Sequence, residues 1–172
     1  YPGVEMFKEF TKPASVEMFT KLGVYTEKEL EARNEVKWET YSKKEQIEAR
    51  VVGRMSINHI IPAALEYQTK LLKNIDLMRA SFPDDYKAMA DTQMGIVREI
   101  STLVSDIKTK VDAMIGERIK ANVITDEYKK ALAYHEIGQS LLEIRKSLDQ
   151  LEEIVDDDKW PLPKYREILF IN

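Results

Sequence analysis

Apolar residues recur along this chain at steps of three and four over three long stretches, and no run alternates in steps of two as a half-buried strand does. From Glu27 the pattern meets no strong breaker until Gly53 and Pro62, then resumes to about Arg79, where Ser81-Phe82-Pro83 stops it. A helix of that length measures about 80 Å, so it must bend, project or span between two bodies. Pro62 has no N–H to give the Asn58 carbonyl and its ring crowds that carbonyl, which places a kink there. Around it Met55, Ile57, Ile60, Ile61, Ala63, Ala64 and Leu65 leave no fully polar face, so this region is expected to be the most buried part of the helix.

A second helix, starting near Asp84 and Asp85, carries a heptad seam at Val97, Ile100, Val104, Ile107, Val111 and Met114. Gly116 and the segment Asn122 to Thr125 weaken or end it, with Thr125 as the expected cap of a third helix. That helix repeats the seam at Tyr134, Ile137, Leu141, Ile144, Leu148, Leu151 and Val155. Two matched seams joined by a short connection predict an antiparallel helical hairpin. Ile61, Leu65, Leu72 and Ile75 of the long helix are expected to pack on it.

Ahead of the long helix, Pro13 suits a first helical turn, Val16, Phe19 and Leu22 give a short apolar face, and Gly23 ends it. Thr26-Glu27-Lys28-Glu29 has the form of a capping box. The predicted fold is all-α: a long Pro-kinked helix plus an antiparallel hairpin forming an elongated three-helix bundle, with a short N-terminal helix and an irregular C-terminal tail. Residues 1–12 lack sustained periodicity and are read as a linker from an upstream domain, and 13–172 as a single helical domain. The start at Tyr1, in mid-pattern, suggests a piece of a longer polypeptide.

Composition narrows the function classes. Hydrophobic residues at 44% with charged residues at 33% describe a chain that folds. Thirty acidic against 26 basic residues, a net charge of -4, supply no field for a phosphate backbone, so no nucleic-acid partner is expected. No apolar run is long enough to span a bilayer, so no membrane partner is expected and the location is read as cytoplasmic. Zero cysteines exclude thiolate chemistry and Cys-based metal sites.

Candidate chemistry is sparse. Neither His59 nor His135 has a Glu three residues before it or an obvious carboxylate partner, against the pattern of a di-iron bundle. His59, beside Pro62, is read as a hydrogen-bonded structural histidine, and the Asn58 amide as satisfying backbone groups freed at the kink. Asp156-Asp157-Asp158 lacks the spacing of a calcium loop and opposes the macrodipole of the helix it follows, which calls for a basic partner such as Lys159, Lys164, Arg166 or a neighbouring subunit. The glycines are isolated, so no phosphate loop or nucleophile elbow is present, and the seven methionines are read as packing. No catalytic, cofactor-binding or metal-binding residue is assigned.

Two segments carry a resemblance. Gly23-Val24-Tyr25-Thr26-Glu27-Lys28-Glu29-Leu30-Glu31-Ala32-Arg33, continued by Ile47 to Arg50 and by Asn58-His59-Ile60-Ile61-Pro62, resembles the region after the catalytic domain of type III glutamine synthetases. The tail Val155 to Phe170, with Trp160-Pro161-Leu162-Pro163-Lys164-Tyr165, is similar to the extreme C-terminus of that family, and Glu117 to Asn122 is similar too.

The resemblance implies a nitrogen-metabolism ligase that joins glutamate and ammonia at the expense of ATP and assembles as a double-ring homo-oligomer. Its Mg or Mn and ATP belong to the upstream catalytic domain, with no cofactor in this chain. The expected partners are that domain and the other subunits. The expected role is then non-catalytic: oligomer assembly or structural support. Asn58, His59, Pro62, Trp160, Pro161, Pro163, Tyr165 and Phe170 are the structural residues to watch, with Trp160, Tyr165, Ile168, Leu169 and Phe170 clamping the tail across the bundle. The alternative is a free-standing helical protein-interaction module whose seams bind a partner helix.

Overall fold

The computed structural model describes residues 3–169, apart from the side chains of Tyr165 and Arg166. Those residues form helices and turns with no strand among them, and one helical stretch of 55 residues runs from Glu27 to Ser81. The all-α expectation holds.

The segment read as a linker is helical. Helix α1 (Gly3–Met6) and a 3-10 turn (Phe7–Thr11) lie where periodicity was too short to register. Val4 is fully buried, and its carbonyl accepts from the Trp38 indole N–H at 3.2 Å.

Helix α2 (Pro13–Lys21) starts with Pro13 in its first turn and closes at Gly23, the one glycine at positive φ (67°) among the described residues. The Gly23 N–H reaches the Thr20 carbonyl at 3.1 Å and the Val24 N–H reaches Phe19 at 3.0 Å, the paired bonds of a Schellman motif. Two residues on, the capping box forms: Thr26 N–H donates to Glu29 Oε2 at 2.8 Å and Glu29 N–H to Thr26 Oγ1 at 3.3 Å.

Helix α3 (Glu27–Met55) passes into a π-helical turn (Ser56–Ile60) and then α4 (Ile61–Ser81), with Pro62 in the first turn of α4. The π-turn is the local answer to Pro62. The Ile61 N–H bonds Ser56 O, five residues back, so one extra residue is taken up just before the proline. Beyond α5 (Tyr86–Met89) comes α6 (Asp91–Asn122), and α7 (Glu127–Ile154) returns after a short connection. Asp126, not Thr125, caps α7: its Oδ1 accepts from Lys129 N–H at 2.8 Å, as suits a carboxylate at a helix N-terminus. A 3-10 turn (Asp157–Lys159) and α8 (Tyr165–Leu169) complete the described chain.

The molecule divides into two compact units. The first joins the chain up to Val51 with Ala113–Leu142. Its core holds Val4, Leu30, Ala49, Met114, Tyr134 and Ile137. The α6–α7 pair is antiparallel here, since Asn122 meets Tyr134 and Glu117 meets Ser140.

The second unit joins Val52–Asp112 with the chain from Glu143 on. Ile60, Ile100, Ile107, Val111, Ile144 and Leu151 are buried in it. Gln68 donates to Val97 O and Ser101 Oγ, and Asn74 to Gln93, so α4 and α6 run antiparallel. Both hairpin seams occur as predicted. The packing face of α4 holds in part: Ile61 and Ile75 are shielded as predicted, but Leu65 and Leu72 are exposed, and Ala64, Gln68 and Leu71 are the less accessible positions in their place. Polar Gln68 sits within the apolar stripe, and reading around it shifts the stripe by one residue.

Candidate functional site

Asn58, His59 and Pro62 are exposed. The expectation of a deeply buried bend is corrected: between Met55 and Leu65 only Ser56, Ile60 and Ala64 are buried. No side-chain hydrogen bond of Asn58 or His59 occurs among the described residues. Their proposed structural roles pass to the π-turn itself and to Ser56, whose hydroxyl donates to Val52 O at 2.7 Å.

At the other end, Trp160 is half-buried and Pro161 and Pro163 are exposed. Ile168 and Leu169 stand 57% and 60% exposed, so they supply no clamp. Phe170 and the Tyr165 side chain lie outside what is described. Ion pairs and a hydrogen bond join this end to α4 and to α7. Lys70 on α4 pairs with Asp156 at 2.8 Å, Glu66 with Lys159 at 2.5 Å, and Lys164 binds Asp157 and the Glu152 carbonyl. The hydrogen bond from Lys70 holds the Asp156 carboxyl below its ordinary range, and Asp156 in turn raises Lys70. The acidic run thus has basic partners: Lys164, as expected, and Lys70, which no local pattern pointed to.

Two polar clusters were not legible in the sequence. In the first unit the Tyr41 hydroxyl lies 3.0 Å from His135 Nδ1. Burial and the nearby Glu45 carboxylate push Tyr41 up to about 12. Burial, then Glu48, raises Glu45 as well. Gly138 leaves room for that carboxylate, since a Cβ there would meet Glu45 Oε2 at 2.8 Å. His135 therefore does have a carboxylate neighbour, 90 positions away and brought in by α3 packing on α7.

In the second unit Asp106 Oδ2 accepts from Lys110 at 2.6 Å and from Ser147 Oγ at 2.7 Å, and Lys110 reaches Ser147 Oγ at 2.9 Å. These bonds hold the Asp106 carboxyl low. Ser147 is 3% exposed while Asp106 and Lys110 are partly exposed, and the triangle is a polar link between α6 and α7. Among the described residues no three His, Asp or Glu side chains gather to hold a metal ion.

An open concave surface lies on the first unit. A groove of about 640 Å³ is lined by Phe10, Phe19, Tyr25 and Val36, with buried Leu30 and the side chains of Arg33 and Lys37 at its edge. Local sequence builds it. The Schellman turn at Gly23 folds the chain so that Phe19 and Tyr25 meet with ring centroids 5.8 Å apart, and the capping box starts α3 directly below them. Arg33 lies over Tyr25 at 4.6 Å and Lys37 over Phe10 at 3.2 Å.

Residues 2–79 match the family model of the glutamine synthetase C-terminal domain. A glutamine synthetase of Bacteroides fragilis is 44% identical over 149 residues, covering 86% of this chain and 20% of the relative. The chain belongs to the glutamine synthetase C-terminal domain family. A type-3 glutamine synthetase of Dictyostelium discoideum is 26% identical over 97% of the chain and 23% of its own length. A glutamine synthetase of Butyrivibrio fibrisolvens is 24% identical over 91% of the chain and 22% of its own length. The chain therefore spans about a fifth of the curated relatives it matches. The resemblance read from Gly23 to Arg33 and from Asn58 to Pro62 falls inside the matched C-terminal domain, as does the whole groove. No helix of the described residues is long and apolar enough to cross a membrane.

Proposed function

We propose that this domain is a non-catalytic structural part of a type III glutamine synthetase, and that it supports assembly of the parent homo-oligomer. The parent polypeptide condenses glutamate and ammonia to glutamine at the expense of ATP, in the cytoplasm. ATP and its Mg or Mn belong to the part of the polypeptide that precedes this domain.

The observation that carries the reading is how the chemistry-bearing side chains are used. Asp106, Lys110 and Ser147 close on one another, Tyr41 on His135, and Asp156 and Lys159 on α4. Each cluster ties one helix or turn to another. Groups paired across helices in this way fix the geometry of the bundle, which supports a structural role.

The test compares glutamine formation and native mass for the isolated domain, the intact parent and a parent truncated before Gly3. The reading expects no activity from the domain alone and a lower native mass for the truncated parent. Glutamine formation by the isolated domain, or a truncated parent with unchanged mass and activity, contradicts it.

A further inference from the structure

The groove on the first unit leaves apolar side chains exposed. Val36 is 58% exposed and Phe10 39%, and the same turn that carries Phe19 and Tyr25 exposes Leu22 and Val24 at 70% and 52%. Apolar side chains gathered around one groove with charged edges are what a docked segment would cover. Its edge has a sign. Lys21 and Lys12 are paired with Glu17 and Glu9, whereas Arg33 and Lys37 have only aromatic rings beneath them and no carboxylate within ion-pair distance among the described residues. Glu29 also lines the groove and feels the charge of Arg33, but Thr26 engages it through two hydrogen bonds to one oxygen, and it makes no ion pair with Arg33.

We propose that this groove docks an apolar segment bearing a carboxylate from the preceding part of the same polypeptide. The proposal rests on the reading that the domain is the C-terminal fifth of a longer synthetase, and it adds the surface, the chemistry and the source of the partner. The source follows from the lengths. About four-fifths of each relative lies outside the matched region, and the groove is built by residues 10–37 of a matched domain that begins at residue 2. A tether of a few tens of residues gives the preceding segment a millimolar-range effective concentration at the groove, which a second copy does not share by this route. An apolar side chain would seat on the face made by Phe10, Phe19, Tyr25 and Val36, and its carboxylate neighbour would complete Arg33 and Lys37, which lie over Tyr25 and Phe10.

The test uses the intact parent polypeptide carrying the photoreactive residue p-benzoylphenylalanine in place of Val36, with a control in which it replaces the exposed Asp112. Irradiation of the Val36 variant is expected to give a product of single-chain mass on a denaturing gel, with the cross-link mapped to a segment upstream of this domain that contains Asp or Glu. Adding Arg33→Glu and Lys37→Glu is expected to lower its yield about tenfold, the range set by losing one or two charge-assisted contacts. A product of double mass, whether joined to this domain or to the upstream part of another copy, overturns the proposal. So does a cross-link that stays within the domain, a yield no higher than the Asp112 control, or a yield unmoved by the charge reversals. The truncated parent separates the two levels of inference: loss of native mass on truncation with a failed cross-link removes the docking surface and leaves the structural role standing, whereas truncation without effect removes that role.

Discussion

At the scale of single residues, Asn34 is the position most at odds with its surroundings. It is 1% exposed on α3, and neither its amide nitrogen nor its oxygen has a hydrogen-bond partner among the described residues. A buried, unpaired polar group costs about 1 to 3 kcal/mol, and an apolar side chain of similar volume avoids that cost. Asn34→Leu should therefore stabilise the domain by about that amount in urea unfolding; a lower midpoint would show that the amide has a partner after all. Glu45 and Asp106 make opposite predictions for pH. Burial holds Glu45 above its ordinary 4.5, so ionising it opposes folding: the penalty is absent below that value and grows as pH rises through it to the folded-state value. Glu45→Gln removes the penalty, and its stability relative to the parent sequence should climb from acid to neutral pH and then level off. Asp106 is held below 3.8 by Lys110 and Ser147, so its contribution is present above that value and lost as pH falls through the folded-state value. Asp106→Asn should flatten the acid limb of the stability profile, and an unchanged limb would mean the triangle is not formed.

At the scale of elements, the π-turn before Pro62 does more than tolerate a proline. From Ser56 the buried positions step by four to Ile60 and Ala64, then by way of the less accessible Gln68 return to alternating threes and fours at Leu71, Ile75 and Met78. A regular α-helix drifts out of phase over such a run, and the extra residue of the wide turn resets it. Removing exposed Asn58 together with Pro62→Ala should turn the π-turn into an α-turn and keep the core face of α4, at a cost within about 1 kcal/mol. Deleting Lys73 instead rotates the rest of α4 by one residue and should cost several times more. Equal losses from the two deletions, read by thermal unfolding, would contradict the phase argument. This is also where legibility in the sequence ended. The heptad seams of α6 and α7, the Gly23 stop and the Thr26–Glu29 box were readable because each is a local pattern of spacing or cap chemistry. The phase of α4 was not, because polar Gln68 occupies a seam position and spends its amide on α6. The pairing of His135 with Tyr41, and of Asp156 with Lys70, joins positions far apart in the chain that no local pattern links. Of the candidate site, Phe19, Tyr25 and the turn between them were legible as punctuation, but their apolar exposure was not, since periodicity assigns faces and says nothing of what covers them.

At the scale of the whole molecule, the chain passes from one unit to the other inside helices. Val51–Val52 lies within α3, Asp112–Ala113 within α6 and Leu142–Glu143 within α7. Melting one unit alone would end three helices at those points, each new end leaving about four backbone groups without intrahelical partners and without the caps that finish the natural ends. Helix propagation is cooperative as well, so a break inside a helix costs more than fraying from its end. The two units should therefore unfold together despite having separate cores. The chain supplies its own reporters, because its two tryptophans fall one in each unit, Trp38 in the first and Trp160 in the second. In Trp160→Phe only the first unit gives tryptophan emission on excitation at long wavelength and in Trp38→Phe only the second, while far-ultraviolet circular dichroism follows all the helix in both. Comparing the two probes within each variant cancels whatever stability the substitution itself removes, including the Trp38 bond to the Val4 carbonyl. Coincident urea midpoints in both variants are expected; a separation of more than about 0.5 M in either would mean that the cores melt independently and that the shared helices do not transmit stability between them.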